Sequence, residues 1–453
     1  MAQGVAGVCP RSLISDWDSG RLKRRTRATA PAECSPVPAP EMLSRKKIRL
    51  LSLITLTRAP LRSAGVRVRA VTAVAVLLLV VIAGDTPAGA APTVSGATTV
   101  TGPAARAVPD TAFDGTNWLV VWSQPGSETG EDVYGRRVGG DGTALGGAFP
   151  IATFPDDDTQ PAVAWNGSNF LVVWQHLFAP GDWDIDARSV SAAGAVSPDT
   201  YGVAFGDHSE EAPDVAASGT NFLVVWQDDR AVANGYDIWA SGRQPSGGNL
   251  GSFLVGGEDN GRNDTVPSVA WNGTEFLVVW QHTYAGGLAD VFAQRTGITT
   301  KNGFMIFVSD VDFRDDRPAV ASNGSDWLVV WSKRGTGTYD LRGERISSSG
   351  NQLGEFGISS AAGDQDTPSV AFDGSYLVAW QDRRNSSVPD VYASRVTSAG
   401  AVSDGSGFPI ASTSATEDSP SVTGGPGTGW GVVLESGTAS STTIALRRVT
   451  STK

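Results

Sequence analysis

The stretch PAVAWNGSNFLVVWQ, from Pro161 to Gln175, decides the fold because it recurs along the chain. Alternating residues lead into Asn166-Gly167, a two-residue turn signal, and the apolar run Phe170 to Trp174 follows. This pattern predicts a β-hairpin. The second strand is apolar at alternate positions on both faces, so both faces must be covered by other parts of the protein.

Copies of the stretch define seven repeats, and the prolines that open them are separated by 52, 52, 54, 51, 50 and 52 residues. A fixed period of this length is typical of propellers, solenoids and other repeat arrays. We number the repeats 1 to 7 by their opening residues, which are Pro109, Pro161, Pro213, Pro267, Pro318, Pro368 and Pro420.

Each of the first six repeats contains two further strand signals after the hairpin. The third strand opens with Asp, as in Asp184 to Val190, and a weaker fourth strand follows, as in Phe408 to Ala411. Four strands in each of seven units predict an all-β, seven-bladed β-propeller. The seventh repeat reaches Lys453 without a fourth strand, so we expect Pro92 to Val100 to complete the last blade and close the ring.

The repeat resembles the WD40-like, TolB-type propeller repeats of secreted bacterial proteins. The resemblance lies in the pattern P-x-V-A-[WF]-[ND]-G, followed by an apolar strand and D-[IV]-[YFW], and it covers residues 103–449. It implies a propeller fold. It does not select a function, because that family includes binding modules, scaffolds and enzyme domains.

The region before the repeats has the composition of a leader. Residues Ala70 to Gly84 form an apolar run with arginines in front and Ala88-Gly89-Ala90 behind. A basic segment, a short apolar core and an A-x-A site predict a secretory signal that is cleaved after Ala90, and the run is short for a membrane span. We therefore expect two regions, 1–90 as leader and signal and 91–453 as a single secreted propeller. The long basic segment ahead of the signal is either a disordered leader or a sign that translation starts at Met42 or later.

Charge limits the classes of partner that the protein can bind, and cysteine content limits its disulfides. Residues 1–90 hold 14 of the 35 basic and 5 of the 47 acidic residues, so the remainder carries a formal charge of −21. Such a surface disfavours nucleic acid and anionic membranes. The only cysteines, Cys9 and Cys34, precede the signal, so the secreted part has no disulfide. We expect a monomer.

Propeller connections alternate between two faces. The turns from strand one to two and from three to four share one face, which we call the turn face. The loops from strand two to three and the links between blades share the other, the loop face. The loop face varies most between repeats, and variable loops on a rigid scaffold commonly carry binding. Our candidate ligand-binding residues there are His176, Asp182, Trp183, Tyr236, His282 and Tyr284.

Acidic residues recur in the links shortly before each proline, for example Asp158, Glu210 and Asp264. One interpretation is a ring of carboxylates that binds a cation or a basic ligand. The other is that each acid caps a turn or pairs with one of the repeated arginines. Residues that repeat usually serve the repeat, which favours the second interpretation. The arginines are Arg137, Arg295, Arg345, Arg395 and Arg448.

The segment Asp182-Trp183-Asp184-Ile185-Asp186 departs from the repeat, because an aromatic residue stands at the position of Asp186 in several other repeats. Alternate carboxylates suggest Ca²⁺, which takes six to eight oxygen ligands. The segment lacks the glycine and the final glutamate of an EF-type loop. A metal site at Asp182, Asp184 and Asp186 is therefore the only cofactor hypothesis.

The chain lacks the H-E-x-x-H, G-x-S-x-G and P-loop signatures. Regular repeats without a catalytic constellation favour a secreted, non-enzymatic binding or scaffold propeller that recognises a protein or a glycan. The alternative is an extracellular glycoside hydrolase or polysaccharide lyase, in which two carboxylates of the loop face act as acid and base.

Overall fold

The computed structural model describes residues 91–102, 107–126, 130–230, 235–257, 262–309, 313–335, 337–427, 429–438 and 441–451. Within these residues the chain forms 29 strands and no helix, and so it includes no helix long and apolar enough to cross a membrane. The predicted leader, the signal and its cleavage site after Ala90 lie outside the described residues, and they stay predictions.

The strands form seven sheets in the described part of the chain, one for each repeat. Blades 1 to 6 each contain four antiparallel strands in sequence order. Blade 1 consists of β3 (Ala107–Phe113), β4 (Asn117–Pro125), β5 (Glu131–Gly139) and β6 (Ala144–Ala152). Blade 2 consists of β7 (Asp158–Trp165), β8 (Asn169–Ala179), β9 (Asp182–Ser191) and β10 (Tyr201–Ala204). Blade 3 consists of β11 (Glu210–Ala217), β12 (Phe222–Asp228), β13 (Asp237–Arg243) and β14 (Asn249–Gly256).

The next three blades repeat this plan. Blade 4 consists of β15 (Asn263–Trp271), β16 (Phe276–Thr283), β17 (Ala289–Thr296) and β18 (Lys301–Phe307). Blade 5 consists of β19 (Arg314–Ser322), β20 (Trp327–Arg334), β21 (Tyr339–Ile346) and β22 (Gln352–Ser359). Blade 6 consists of β23 (Gln365–Asp373), β24 (Ser375–Asp382), β25 (Asp390–Val396) and β26 (Phe408–Ala411).

The two ends of the described chain share blade 7. The C-terminal part supplies β27 (Thr416–Gly424), β28 (Gly429–Thr438) and β29 (Ser441–Thr450). The outer position beside β29 is filled by two short N-terminal strands, β1 (Thr93–Val94) and β2 (Thr98–Thr99). This confirms that an N-terminal segment completes the last blade, although it does so as two short strands and not as one.

The first strand of each blade is innermost, and these strands contact one another in order around the ring. β3 contacts β7, the contacts continue through β11, β15, β19, β23 and β27, and β27 contacts β3 again. The chain is therefore a closed seven-bladed propeller, as the sequence predicted. Closure protects the inner edges of all seven sheets.

The core lies between blades, because the second strand of each blade is apolar on both faces. In β8, Phe170 and Val172 pack against blade 1, whereas Leu171 and Val173 pack against blade 3. All four side chains are at most 1% exposed. Equivalent clusters join each neighbouring pair of blades around the ring. Burial of this apolar area is the main stabilising contribution to the fold.

Candidate ligand site on the loop face

The residue three positions before the proline of repeats 2 to 7 is structural, and it is an acid in five of these repeats and a glutamine in repeat 6. The side chains at this position in repeats 2 to 7 are at most 3% exposed. Asp158 and Asp315 accept hydrogen bonds of 2.9 Å from the indole N–H groups of Trp174 and Trp331. Buried polar groups need such partners, and these two acids satisfy the indole N–H groups of two core tryptophans. The six residues are Asp158, Glu210, Asp264, Asp315, Gln365 and Glu417.

The repeated arginines do not pair with these acids, so that part of the structural interpretation is wrong. They lie at the turn-face ends of third strands, whereas the acids lie at the loop-face end of the sheet. Arg345 contacts Asp326 at 3.1 Å, and Arg395 contacts Asp404 at 2.6 Å. Arg137 donates instead to the backbone carbonyl of Ala193. The acids and the arginines therefore lie on different faces of the propeller. This separation excludes the ion pairs that the sequence suggested.

Blade 2 has the longest hairpin of the loop face among the described residues. β8 extends to Ala179 and β9 begins at Asp182, so only two residues form the turn. Trp183 pairs with Leu177, and the side chain of Phe178 is 66% exposed. The sequence placed Asp182 and Trp183 in a loop, but they lie in a strand, because Leu177 N–H bonds the Asp157 carbonyl and extends the sheet. Both side chains are half-buried.

His176 lies at the base of this hairpin and contacts the buried Asp158 carboxylate at 2.9 Å through Nδ1. That hydrogen bond, together with the nearby carboxylates of Asp186 and Asp184, raises the pKa of His176 despite partial burial. Burial raises the pKa of Asp186 to about 6. Burial and the negative charge of Asp182 raise the pKa of Asp184. The base of the hairpin is therefore a histidine surrounded by acids.

The geometry does not bring Asp182, Asp184 and Asp186 to one point. Alternate residues of a strand are spaced by about 6.6 Å, so the first and third are about 13 Å apart along β9. Calcium ligands must lie within about 2.6 Å of the ion. In the described part of the chain, no group of three or more His, Cys, Asp or Glu residues is arranged to hold a metal ion.

A second acidic cluster lies on the adjoining blade 3. Arg230 makes hydrogen bonds of 2.7 and 2.5 Å to Asp228 and lies 3.8 Å from Glu210. Burial, and then the charges of Asp228 and Asp184, raises the pKa of Glu210 to about 8. Burial and the charge of Asp264 raise the pKa of Asp237 to about 6. The pKa of Glu210 is thus affected by Asp184 of blade 2, and the pKa of Asp237 by Asp264 of blade 4.

The remaining candidates lie on blades 3 and 4, and each has a partner. Tyr236 donates its hydroxyl to Glu211 at 2.9 Å, and burial with this bond raises the pKa of Tyr236 to about 12. His282 is 3% exposed and bonds Asp264. Tyr284 donates to Asp290 at 2.7 Å and stands edge-on to the ring of His282, with centroids 4.8 Å apart.

The structure thus collects the six candidates on the loop face of three consecutive blades. His176, Asp182 and Trp183 share the blade 2 hairpin, and His282 and Tyr284 are in contact on blade 4. Sequence reasoning named Glu210 only as a member of the acidic ring, and it missed Arg230, which lies 3.8 Å from Glu210. The signal for Arg230 was present in Trp-Gln-Asp-x-Arg, which replaces the Trp-Gln-His of repeats 2 and 4 and recurs in repeat 6.

Comparison with known proteins assigns the chain to no family. No family model and no curated protein matches the sequence. Solved structures align with TM-scores of 0.37 to 0.44. A sialidase of Trypanosoma rangeli is 8% identical with a TM-score of 0.43, and the match covers 76% of this chain but 55% of the sialidase. A protein of unknown function from Dyadobacter fermentans is 11% identical with a TM-score of 0.44, and the match covers 81% of this chain and all of that protein.

A putative TolB from Agrobacterium tumefaciens is 15% identical with a TM-score of 0.37, and the match covers 56% of this chain and 82% of the TolB chain. No family model supports the resemblance to TolB-type repeats, which stays one of the repeat pattern in the sequence. These similarities carry no activity, ligand or partner to this chain.

Proposed function

We propose that the protein is a secreted, monomeric binding module that recognises a protein or a glycan through the loop face of blades 2 to 4. The observation that carries this proposal is that acidic residues of the repeat and acidic residues that depart from it lie in different surroundings. Asp158, Asp264 and Asp315 stand at one repeated position and are buried against core tryptophans or histidines. Asp182 and Asp186 depart from the repeat, and both lie on the extended hairpin of blade 2. Seven equal blades offer no unique site, so a ligand must recognise positions at which one blade differs from the others.

The blade 2 hairpin is the centre of this surface. It presents the exposed ring of Phe178 and the half-buried Trp183 beside Asp182 and Asp184. Aromatic side chains with adjacent hydrogen-bonding groups are frequent anchors in interfaces. Carboxylates nearby favour ligands that carry hydroxyl, amide or basic groups. The apolar run and the A-x-A site support secretion, and the formal charge of −21 beyond residue 90 favours solubility.

An extracellular carbohydrate-active enzyme is the second candidate, and one observation favours it. With a pKa of about 8, Glu210 holds its proton at neutral pH, as a general acid must, and Asp184 lies close enough to contribute to that shift. The burial of Glu210 counts against this role, because a side chain that is 1% exposed does not reach a substrate on the surface. The binding module is therefore the function that we propose.

The test combines a glycan array and a screen of secreted proteins with three versions of the protein. The double variant Asp182→Asn with Trp183→Ala should lose at least tenfold in affinity for the ligand found with the unmodified protein, because removal of an interface anchor costs about 2 kcal/mol. The matched control, Ser349→Ala with Asn351→Gln, changes exposed turn-face residues and should bind normally. Normal binding by the first variant and loss by the second would place the ligand on the turn face.

The same screen separates binding from catalysis. We expect captured glycans to be recovered intact after prolonged incubation. Cleaved products that disappear with Glu210→Gln would establish the enzyme and reject the binding module. The substitution keeps the shape of the side chain and removes only its proton-transfer capacity.

A further inference from the structure

A cavity of about 250 Å³ lies between the outer strands of blades 3 and 4. Val255 at the end of β14 forms one wall, and Phe292 of β17 with Met305 of β18 forms the other. Phe304 stands at the rim and is 94% exposed. An apolar cavity of about 150 Å³ holds a benzene molecule, so this one accommodates a substituted six-membered ring.

Asp264 and His282 contribute the polar end of this cavity. His282 is 3% exposed, and its Nδ1 lies 2.5 Å from an Asp264 carboxylate oxygen. In the neutral imidazole, an Nδ1–H that donates to the carboxylate leaves Nε2 as a hydrogen-bond acceptor. Among the described residues, Nε2 of His282 is buried without any partner. A buried polar atom in that condition is destabilising by about 1 to 3 kcal/mol unless a ligand or water satisfies it.

The other polar side chains of the lining are already engaged. Nε2 of Gln294 donates to the carbonyls of Arg295 and Asn302, each at 2.9 Å. Lys301 also has an interaction of its own. His282 Nε2 is thus the one buried polar atom of the described lining that needs a partner. A ligand with a single hydroxyl fits this requirement, whereas a sugar would leave most of its hydroxyls unmatched by side chains of the cavity.

Blade 2 contains the same His–Asp pair in a different environment. His176 bonds Asp158 just as His282 bonds Asp264. The residue opposite the core tryptophan is Asp186 in blade 2 and Phe292 in blade 4. The ring of Phe292 lies 4.5 Å from that of His282. The pair therefore faces carboxylates in blade 2 and an aromatic wall in blade 4.

We propose that this cavity binds a small monohydroxylated ring compound of the phenol class. The hydroxyl donates to Nε2 of His282, the ring packs against Phe292 and Met305, and Phe304 covers its outer edge. This site goes beyond the proposed function, because it takes a small molecule between blades and does not use the blade 2 hairpin. The two proposals can therefore fail separately.

The experiment uses the full chain with p-cresol as the probe and saturation-transfer NMR titration as the readout. A ligand of this size binds with a Kd on the order of 1 mM when each heavy atom contributes about 0.5 kcal/mol. Toluene, which lacks the hydroxyl, should bind about tenfold more weakly, as expected for one lost hydrogen bond to a buried acceptor. Glucose should show no transfer.

Three variants locate the site. His282→Phe should weaken p-cresol binding about tenfold and abolish the preference over toluene. The matched control, His176→Phe in blade 2, should bind like the unmodified protein. Phe304→Ala tests the rim at an exposed position that folding does not require, and it should weaken binding of both compounds. The proposal is overturned if p-cresol gives no transfer, if it binds no better than toluene, or if His176→Phe and not His282→Phe reduces binding.

Discussion

The residue before each repeat proline has a left-handed backbone. Its φ lies between 48° and 52° at all seven positions, and none of the seven is glycine. The inner strand of each blade shifts register at this point, which marks a β-bulge. In blades 1, 3, 4 and 5 the N–H of this residue donates to a side chain of the previous blade, whereas the N–H of Thr367 in blade 6 donates to Asp366 of its own strand. The seven residues are Val108, Gln160, Ala212, Val266, Arg317, Thr367 and Ser419.

In blades 3, 4 and 5 this N–H group binds the side chain that follows the core tryptophan of the preceding blade. Ala212 donates to Gln175 at 3.0 Å, and Val266 donates to Gln227 at 3.1 Å. Arg317 donates to Gln281 at 3.2 Å. This contact explains the repeated Trp-Gln pair, which sequence reasoning saw but did not assign. The bulge itself was not predictable, because valine, glutamine and arginine do not favour a left-handed backbone.

Val266 tests the strain at the bulge. Its β-branched side chain is 40% exposed, and φ is 52°. Val266→Gly should raise the free energy of unfolding by roughly 0.5 to 1 kcal/mol, because relief of left-handed strain exceeds the entropy cost of glycine. Urea unfolding measures this change. Thr265→Gly, one residue earlier in the same strand, is the control and should lower stability. If Val266→Gly lost as much stability as the control, the backbone at Val266 would not be strained.

Glu210 predicts a pH dependence of stability. Burial raises its pKa from 4.5 to about 8 in the folded protein. The folded state therefore keeps a proton that the unfolded state releases above pH 4.5, and stability falls as the pH rises from about 4.5 to 8. Glu210→Gln should remove part of this fall and be more stable than the unmodified protein at pH 8. Urea unfolding at pH 5 and pH 8 tests this, with the exposed Asp199→Asn as control. If Glu210→Gln showed the same difference in stability between pH 5 and pH 8 as the unmodified protein, the raised pKa of Glu210 would be contradicted.

At the scale of the element, the N-terminal strands connect two blades. β1 and β2 pair with β29 of blade 7, and Val100 is fully buried. Arg136 of blade 1 donates to the Val100 carbonyl at 2.6 Å. The segment therefore completes one sheet and fastens it to the next.

Deletion of Pro92 to Val100 from the full chain should lower the melting temperature by several degrees. It removes a fully buried side chain worth about 2 kcal/mol and exposes the edge of β29. Val100→Ala keeps the backbone pairing and should have a smaller effect. Calorimetry measures both changes. Equal melting temperatures for the deletion and the unmodified protein would show that the segment does not belong to the blade.

The elements were largely predictable because their pattern is repeated seven times. The hairpin turn, the two-sided second strand and the strand from Pro92 to Val100 all follow from local composition. Sequence did not show that Ser95-Gly96-Ala97 divides the N-terminal strand. It also placed Asp182 and Trp183 in a loop, because the turn signal Pro180-Gly181 was hidden within a variable segment.

At the scale of the molecule, sequence predicted the loop face but not the contacts across it. Alternation of connections assigns each loop to a face from topology alone. The response of Glu210 to Asp184, and the cavity beside His282, depend on side chains from neighbouring blades. A repeat of about 52 residues determines which positions of neighbouring blades are in contact. The residues that depart from the repeat determine the chemistry of those contacts.

Ring closure by the two ends of the chain is the premise on which every contact between blades 7 and 1 depends. Thr93 of β1 lies opposite Thr450 of β29, 357 residues later. Opposite residues of antiparallel strands have Cα atoms about 4.5 to 5.5 Å apart, a distance that a disulfide spans. With Cys9 and Cys34 replaced by serine, Thr93→Cys and Thr450→Cys would be the only thiols of the chain.

The most direct measurement is a thiol titration with calorimetry on this double-cysteine protein before and after mild oxidation. We predict that oxidation consumes both thiols within the monomer and raises the melting temperature by about 5 °C or more, since closing so long a loop stabilises by up to about 5 kcal/mol. Reduction should reverse the change. Two free thiols after oxidation, or an intramolecular disulfide that lowers the melting temperature, would show that the N-terminal strand does not close the ring.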